Sequence, residues 1–295
     1  MPAVPTILSA PPPADLRRIT LRSRRLVTGD LLGQYRSAFR GTGLVFSDLR
    51  AYQPGDDVKH IHWKATARTG TVFVKSYEED RQLRVVLAVD ISASMRAPKA
   101  TEAFAKALEF SALIGALTAR GSDQLGLMLF GSSVESFLPP KSGRKRQLQV
   151  LSQLSSRVGA GESTDLAGAL DRLSTTLRKP SIIFVLSDFV AAPFSRQLRT
   201  LSRRHDVVLA QIQTPMELLT PLGLALFRDP ETGAQLVVDT SSRSVRRAWE
   251  AALQSSRSAL NRLAQESGAD HIVISDSATR PLVRLMRERA TRGIR

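Results

Sequence analysis

At 295 residues, 42% of them hydrophobic, the chain is long enough to bury a real core in one large domain or two smaller ones. Zero cysteines exclude disulfides, thiolate metal sites and cysteine nucleophiles. A formal charge of +15 admits nucleic acid, an anionic membrane surface or an acidic protein as partner.

The start, MPAVPTILSAPPPADLRR, has no positive segment ahead of an apolar core and does not read as a signal peptide. No apolar run reaches the roughly 18 to 20 residues that cross a bilayer. Together with the missing cysteines, this predicts a cytoplasmic protein. Residues 1–15 are Pro-rich and expected to be disordered. Leu16 to about Arg40 reads as weakly helical. Then comes a dense segment, GTGLVFSDLRAYQPGDDVKHIHWKATARTGTVFVKSYEEDRQ, in which Pro54-Gly55 marks a turn. Val58–Trp63 and Val72–Tyr77 are expected as short strands around a Gly70 turn, with Trp63 buried and Arg50, Asp56 and Arg68 as hydrogen-bond partners. The block has too few apolar residues for a core of its own, so residues 16–81 should pack against the remainder of the chain.

From Arg84 onward strands alternate with helices. VVLAVD is an unbroken apolar run, hence a buried strand. Ala100–Arg120 carries a helical stripe of Ala103, Ala107, Phe110, Ile114 and Leu117. Gln124–Phe130 and Val134–Leu138 should form an antiparallel hairpin. Helices come next at about 144–157 and 165–178, then the strand SIIFVLSDF, a helix near 195–204 and the strand DVVLAQIQ. Residues 222–239 read as a hairpin around DPETG, ahead of a long helix at about 242–267, the strand HIVISD and a basic last helix. The expectation is an α/β domain over 82–295: a doubly wound, mostly parallel, Rossmann-like sheet with helices on both faces, plus a small N-terminal β-containing segment.

In such sheets sites lie beyond the carboxyl ends of the strands. Three polar clusters fall there: Asp90-x-Ser92-x-Ser94, Ser163-Thr164-Asp165 and Ser187-Asp188. Taken singly they are ordinary turn and cap residues, Thr164 for the helix opening at Asp165 and Asp188 for the next one. Taken together they offer only carboxylate and hydroxyl oxygens, a donor set suited to Mg²⁺ or Mn²⁺. Two aspartates among neutral hydroxyls would leave positive charge at the metal, so an outside carboxylate could complete its shell.

Asp90-x-Ser92-x-Ser94, Thr164 and Asp188, in that order, resemble the metal-ion-dependent adhesion site of von Willebrand factor type A domains. FSDLRAYQPGDDVKHIHWKATARTG followed by VDISASM resembles, more narrowly, number fifty-eight among the bacterial domains of unknown function. The resemblance implies a binding scaffold of the kind encoded beside MoxR-type AAA+ ATPases. It implies Ser92 and Ser94 as direct ligands, Asp90 binding directly or through water, Thr164 as the second-loop hydroxyl and Asp188 acting through water. Two departures stand out. Glu162-Ser163 precede Thr164 where glycines are usual, and Phe189 follows Asp188 where many type A domains have glycine.

Other readings compete with this one. The alternate histidines of His60-Ile61-His62 could ligate zinc, but no third ligand lies nearby. A hydrolase would use Ser92 or Ser94 with His205 or His271, yet there is no GxSxG elbow, and both histidines begin strands, away from the site. No GxxxxGK[ST] loop exists for a nucleotide. A basic nucleic-acid binder would need more than scattered arginines and 5% aromatics, without any zinc-finger, RNP-like or homeodomain-like pattern. The sequence is therefore read as a metal-dependent protein-interaction module and not an enzyme. Its partner would present an acidic residue, with a MoxR-type AAA+ ATPase as candidate.

Overall fold

The computed structural model describes residues 14–39, 44–57, 59, 61–79, 82–95, 101–156, 164–213, 221–228 and 234–292. The expected disorder of 1–15 falls largely outside them. So do Val58, His60, Glu162, Ser163 and the DPETG stretch.

Two helices open the chain, α1 (Ala14–Leu26) and α2 (Gly29–Ala38), separated where Thr28 caps α2 by accepting from the Leu31 amide. A two-stranded antiparallel sheet comes next, β1 (Leu44–Ala51) with β2 (Phe73–Glu79), enclosing α3 (Trp63–Thr69). Here the expected strand over Val58–Trp63 is corrected. Ile61 makes only an isolated bridge to Val74, and Trp63 starts a helix. WKATART holds good helix formers, His62 Nδ1 caps it by accepting from the Ala65 amide, and Gly70 ends it at φ 71°. Trp63 is 70% exposed rather than buried.

The main sheet comprises β3 (Arg84–Asp90), β4 (Gln124–Phe130), β5 (Val134–Ser142), β6 (Ile182–Ser187), β7 (Asp206–Ile212) and β10 (Asp270–Ile274), in the order β10-β7-β6-β3-β4-β5. All neighbours are parallel except β4 and β5. β5 is an edge strand and so tolerates Pro139 and Pro140. Gly126 lets it approach, since a Cβ there would lie 3.0 Å from the Leu138 carbonyl oxygen.

The period of two along each strand divides the core. Val85, Leu87, Val89, Phe184, Leu186, Val208 and Ile272 point into one layer, with α1, α2, α4 (Thr101–Gly121), α5 (Arg144–Ser156) and α9 (Thr279–Arg292). Val86, Ala88, Ile183, Val185, Val207 and Leu209 point into the other, with α6 (Leu166–Thr176), α7 (Ser195–Ser202) and the end of α8 (Arg243–Glu266). The molecule is thus an α/β fold with helices on both faces of a mixed, mostly parallel six-stranded sheet. All five expected stripe residues of α4 are buried. The expected hairpin after β7 is present as β8 (Leu224–Arg228) and β9 (Gln235–Asp239).

Candidate metal centre

Parallel alignment brings the carboxyl ends of β3 and β6 side by side, and alternation sends Asp90, Ser187 and Gln211 toward the same face as Ala88, Val185 and Leu209. Asp90 is fully buried there. Its Oδ1 accepts from the Ser92 amide at 2.9 Å, closing a turn that carries the chain across the top of the sheet. Its Oδ2 accepts from Ser187 Oγ at 2.6 Å and from Thr164 Oγ1 at 3.5 Å. Ser92 Oγ lies 3.1 Å from Ser94 Oγ, and Ser94 in turn bonds to the Asp188 carboxylate. The five residues singled out in the sequence, Asp90, Ser92, Ser94, Thr164 and Asp188, therefore form one connected cluster. Ser187, which sequence placed beside the site but not in it, holds the central carboxylate.

The capping roles considered for two of these residues are corrected. Asp165, not Thr164, caps α6: its Oδ1 accepts from the Gly168 amide at 2.8 Å, and the Asp165 amide donates to the Gly131 carbonyl. The Thr164 hydroxyl is thereby released toward Asp90. Asp188 closes a local turn by accepting from the Val190 amide, well short of α7. Phe189, at the position where glycine was expected, takes φ 60°, the left-handed conformation glycine would adopt without strain. Its ring packs against Phe194 at a centroid separation of 6.0 Å, which offsets that cost.

Burial pushes the Asp90 carboxyl up to about 6 against the pull of its hydroxyl and amide donors, and the neighbouring Asp188 carboxylate adds to the rise. Asp188 is raised for the same first cause, burial. Two shielded carboxylates facing hydroxyl oxygens are a pair that a divalent cation would neutralise, so the donor set fits a hard metal ion. Among the described residues no three His, Cys, Asp or Glu side chains converge; two aspartates with three hydroxyls would have to suffice.

Neither histidine completes a serine dyad here. His205 is buried at the amino end of β7, opposite Asp90. His271 stands nearer than its place at the start of β10 suggested. Its Nε2 lies 3.2 Å from Gln211 Oε1, and Gln211 Nε2 donates to the Asp188 carbonyl. Burial lowers its pKa to about 4. Of the candidate zinc pair, His62 Nδ1 is engaged as a cap.

A family model described as "Protein of unknown function DUF58" matches residues 48–259. The chain belongs to this family. Uncharacterized proteins of Mycobacterium tuberculosis and Mycobacterium bovis are each 31% identical over 225 residues, covering 75% of this chain and 71% of theirs. Among solved structures, BatB from Bacteroides thetaiotaomicron matches with TM-score 0.45 and 15% identity, over 71% of this chain and 99% of its own. A mussel byssus thread matrix protein with a zinc-occupied MIDAS motif matches with TM-score 0.36 and 16% identity, over 45% of this chain and 38% of its own. Among the described residues no helix is long and apolar enough to cross a membrane.

Proposed function

We propose that this protein is a metal-dependent protein-interaction module with a type A adhesion site. The observation that carries the reading is the convergence on one buried carboxylate of the Ser92 amide from its own loop and of two hydroxyls from elsewhere in the chain, Thr164 and Ser187. Ser92, Ser94 and Thr164 would offer hydroxyls to Mg²⁺ or Mn²⁺, with Asp90 and Asp188 supplying the charge. An acidic side chain of the partner would complete the shell. A MoxR-type AAA+ ATPase is the candidate partner and the cytoplasm the proposed compartment.

No catalytic step is assigned. Ser92 and Ser94 bond to each other, and His271 is engaged with Gln211, so among the described residues neither serine is paired to a histidine. Ester turnover lost in Ser92→Ala or Ser94→Ala would overturn this part of the reading.

The first test is thermal unfolding with Mg²⁺ or Mn²⁺ for wild type and Asp90→Ala. At about a hundredfold excess over Kd, binding to the folded state alone adds about 2.7 kcal/mol, a rise of roughly 5 °C at this size. The shift should vanish in Asp90→Ala. Binding to a purified MoxR-type ATPase, compared in Mg²⁺ and in chelator, tests the partner; retention unchanged by Asp90→Ala would sink the adhesion-site reading.

A further inference from the structure

Phe189 keeps its left-handed φ of 60° although its Cβ opposes that conformation, and it directly follows Asp188 of the candidate metal centre. The peptide unit joining the two residues is gripped at both ends. Its N–H donates to Ser187 Oγ at 3.0 Å, the hydroxyl that itself donates to Asp90 Oδ2. Its C=O accepts from Gln211 Nε2 at 3.4 Å. Gln211 belongs to β7 rather than to the loop, and its own amide is oriented in turn. With Nε2 committed to the carbonyl, Oε1 faces His271 Nε2 of β10 at 3.2 Å, so the imidazole donates there. The opposite amide orientation would set Oε1 against the Asp188 carbonyl, oxygen against oxygen. These bonds reach the main chain of Asp188, not its carboxylate.

We propose that Gln211, oriented by His271, is a positioning residue for the loop after β6: it holds the Asp188–Phe189 peptide in the plane that keeps Ser187 on Asp90 and the Asp188 carboxylate on Ser94. The inference rests on the metal-dependent reading of the site. Turning that peptide over would carry φ of Phe189 back to a negative value and relieve its Cβ. It would also withdraw the N–H from Ser187 and the carbonyl from Gln211. Strain therefore pulls the loop away from the cluster. The Gln211 bond, with the packing of the Phe189 ring on Phe194, opposes that pull. A glycine at 189 would feel none of it, since glycine takes positive and negative φ about equally. The strands β7 and β10 supply from outside the loop what a glycine would supply within it.

The test is Mn²⁺ titration of the full chain, with the free cation followed by electron paramagnetic resonance and the fold checked by the melt without metal. Apparent affinity falls with the fraction of molecules whose loop is held. Gln211→Leu keeps the bulk and removes the donor, and should weaken Mn²⁺ binding by about fivefold, the worth of one net hydrogen bond. His271→Leu should do the same by releasing the Gln211 amide. His271→Gln, which returns an N–H, should stay within about twofold of wild type. Adding Phe189→Gly to Gln211→Leu should also restore binding to within about twofold, because glycine fills the held state about half the time unaided. Damage from lost packing would not be repaired by removing a second side chain. Wild-type affinity in Gln211→Leu overturns the proposal, as does a loss that Phe189→Gly leaves in place. Should Gln211→Leu lack a cooperative melt, the two His271 variants decide, and equal affinities overturn the proposal. A wild type that binds no Mn²⁺, or binding that Asp90→Ala leaves intact, overturns the metal-dependent reading itself and this proposal with it.

Discussion

Asp123 shows at the scale of one residue what a buried carboxylate costs when nothing neutralises it. It sits at the amino end of β4, the opposite end of the sheet from Asp90, and its Oδ1 accepts from the Leu83 amide at 2.8 Å. Its Oδ2 and the Tyr35 hydroxyl are both buried without a hydrogen bond of good geometry. Burial raises the Asp123 carboxyl from 3.8 to about 6, so folding favours the neutral acid. The stability linked to that proton is complete below about pH 4 and is lost as pH climbs through 6. Asp123→Asn keeps the acceptor for Leu83 and removes the charge. It should stabilise the protein by about 1–2 kcal/mol at pH 8, with the gain fading toward pH 4, as read from denaturant melts at the two pH values. Asp90 carries the same penalty, but in a setting of hydroxyls that suits a cation. The sequence alone could separate the two, because only Asp90 is followed by alternate serines. Ser187 was harder to read: its bond to Asp90 exists because β6 lies beside β3, which is a fact of strand order.

At the scale of elements, the start of α6 decides where Thr164 points. Asp165 holds the Gly168 amide, and a Cβ at Gly168 would lie 2.2 Å from Asp165 Oδ2. Asp165→Ala should cost about 1 kcal/mol through the lost cap. It should also reduce the metal-induced rise in Tm although no proposed ligand is changed. Gly168→Ala, worth about 1 kcal/mol in an ordinary helix, should gain nothing here because it evicts the cap. In the Asp165→Ala background the same substitution should recover its full value, a coupling measurable by a double-mutant cycle. Elements were legible wherever periodicity was clean, as in β3, β6 and α4. In the N-terminal block it was not. The β1 register shifts between Phe46 and Asp48, which breaks its alternation, and His60-Ile61-His62 imitates a strand just before α3 begins. The exposure of Trp63 follows from that mistaken element, since the helix turns it outward where a strand would have placed it inward.

For the whole molecule, the question is what the N-terminal helices contribute to the sheet. Val27, Leu31, Tyr35 and Phe39 are all nearly inaccessible and belong to the same core layer as β3 and β6. Rings of Tyr35, Phe39, Phe184 and Phe110 form a continuous file with centroid separations of 5.5–5.8 Å. Arg289 of α9 locks that file from outside. Its guanidinium lies 4.5 Å from the Phe39 ring centre while bonding to Asp206 at 2.5 and 2.6 Å and to Asp270 at 2.7 Å. Arg120 of α4 donates to the Val27 carbonyl as well. At about 1.5–3 kcal/mol for each fully buried side chain, the four residues supply roughly 6–12 kcal/mol as an upper bound. That is comparable to the whole stability of a typical domain, about 5–15 kcal/mol. A boundary at residue 82, natural from the change in composition, would therefore cut through the core. A chain starting at Gln82 should be insoluble or lack a cooperative melt, because Phe184 and Phe110 lose their cover. A chain starting at Ala14 should melt cooperatively near the wild-type temperature. A stable, cooperatively folding chain from Gln82 would show instead that α1 and α2 are an attachment to a domain already complete without them.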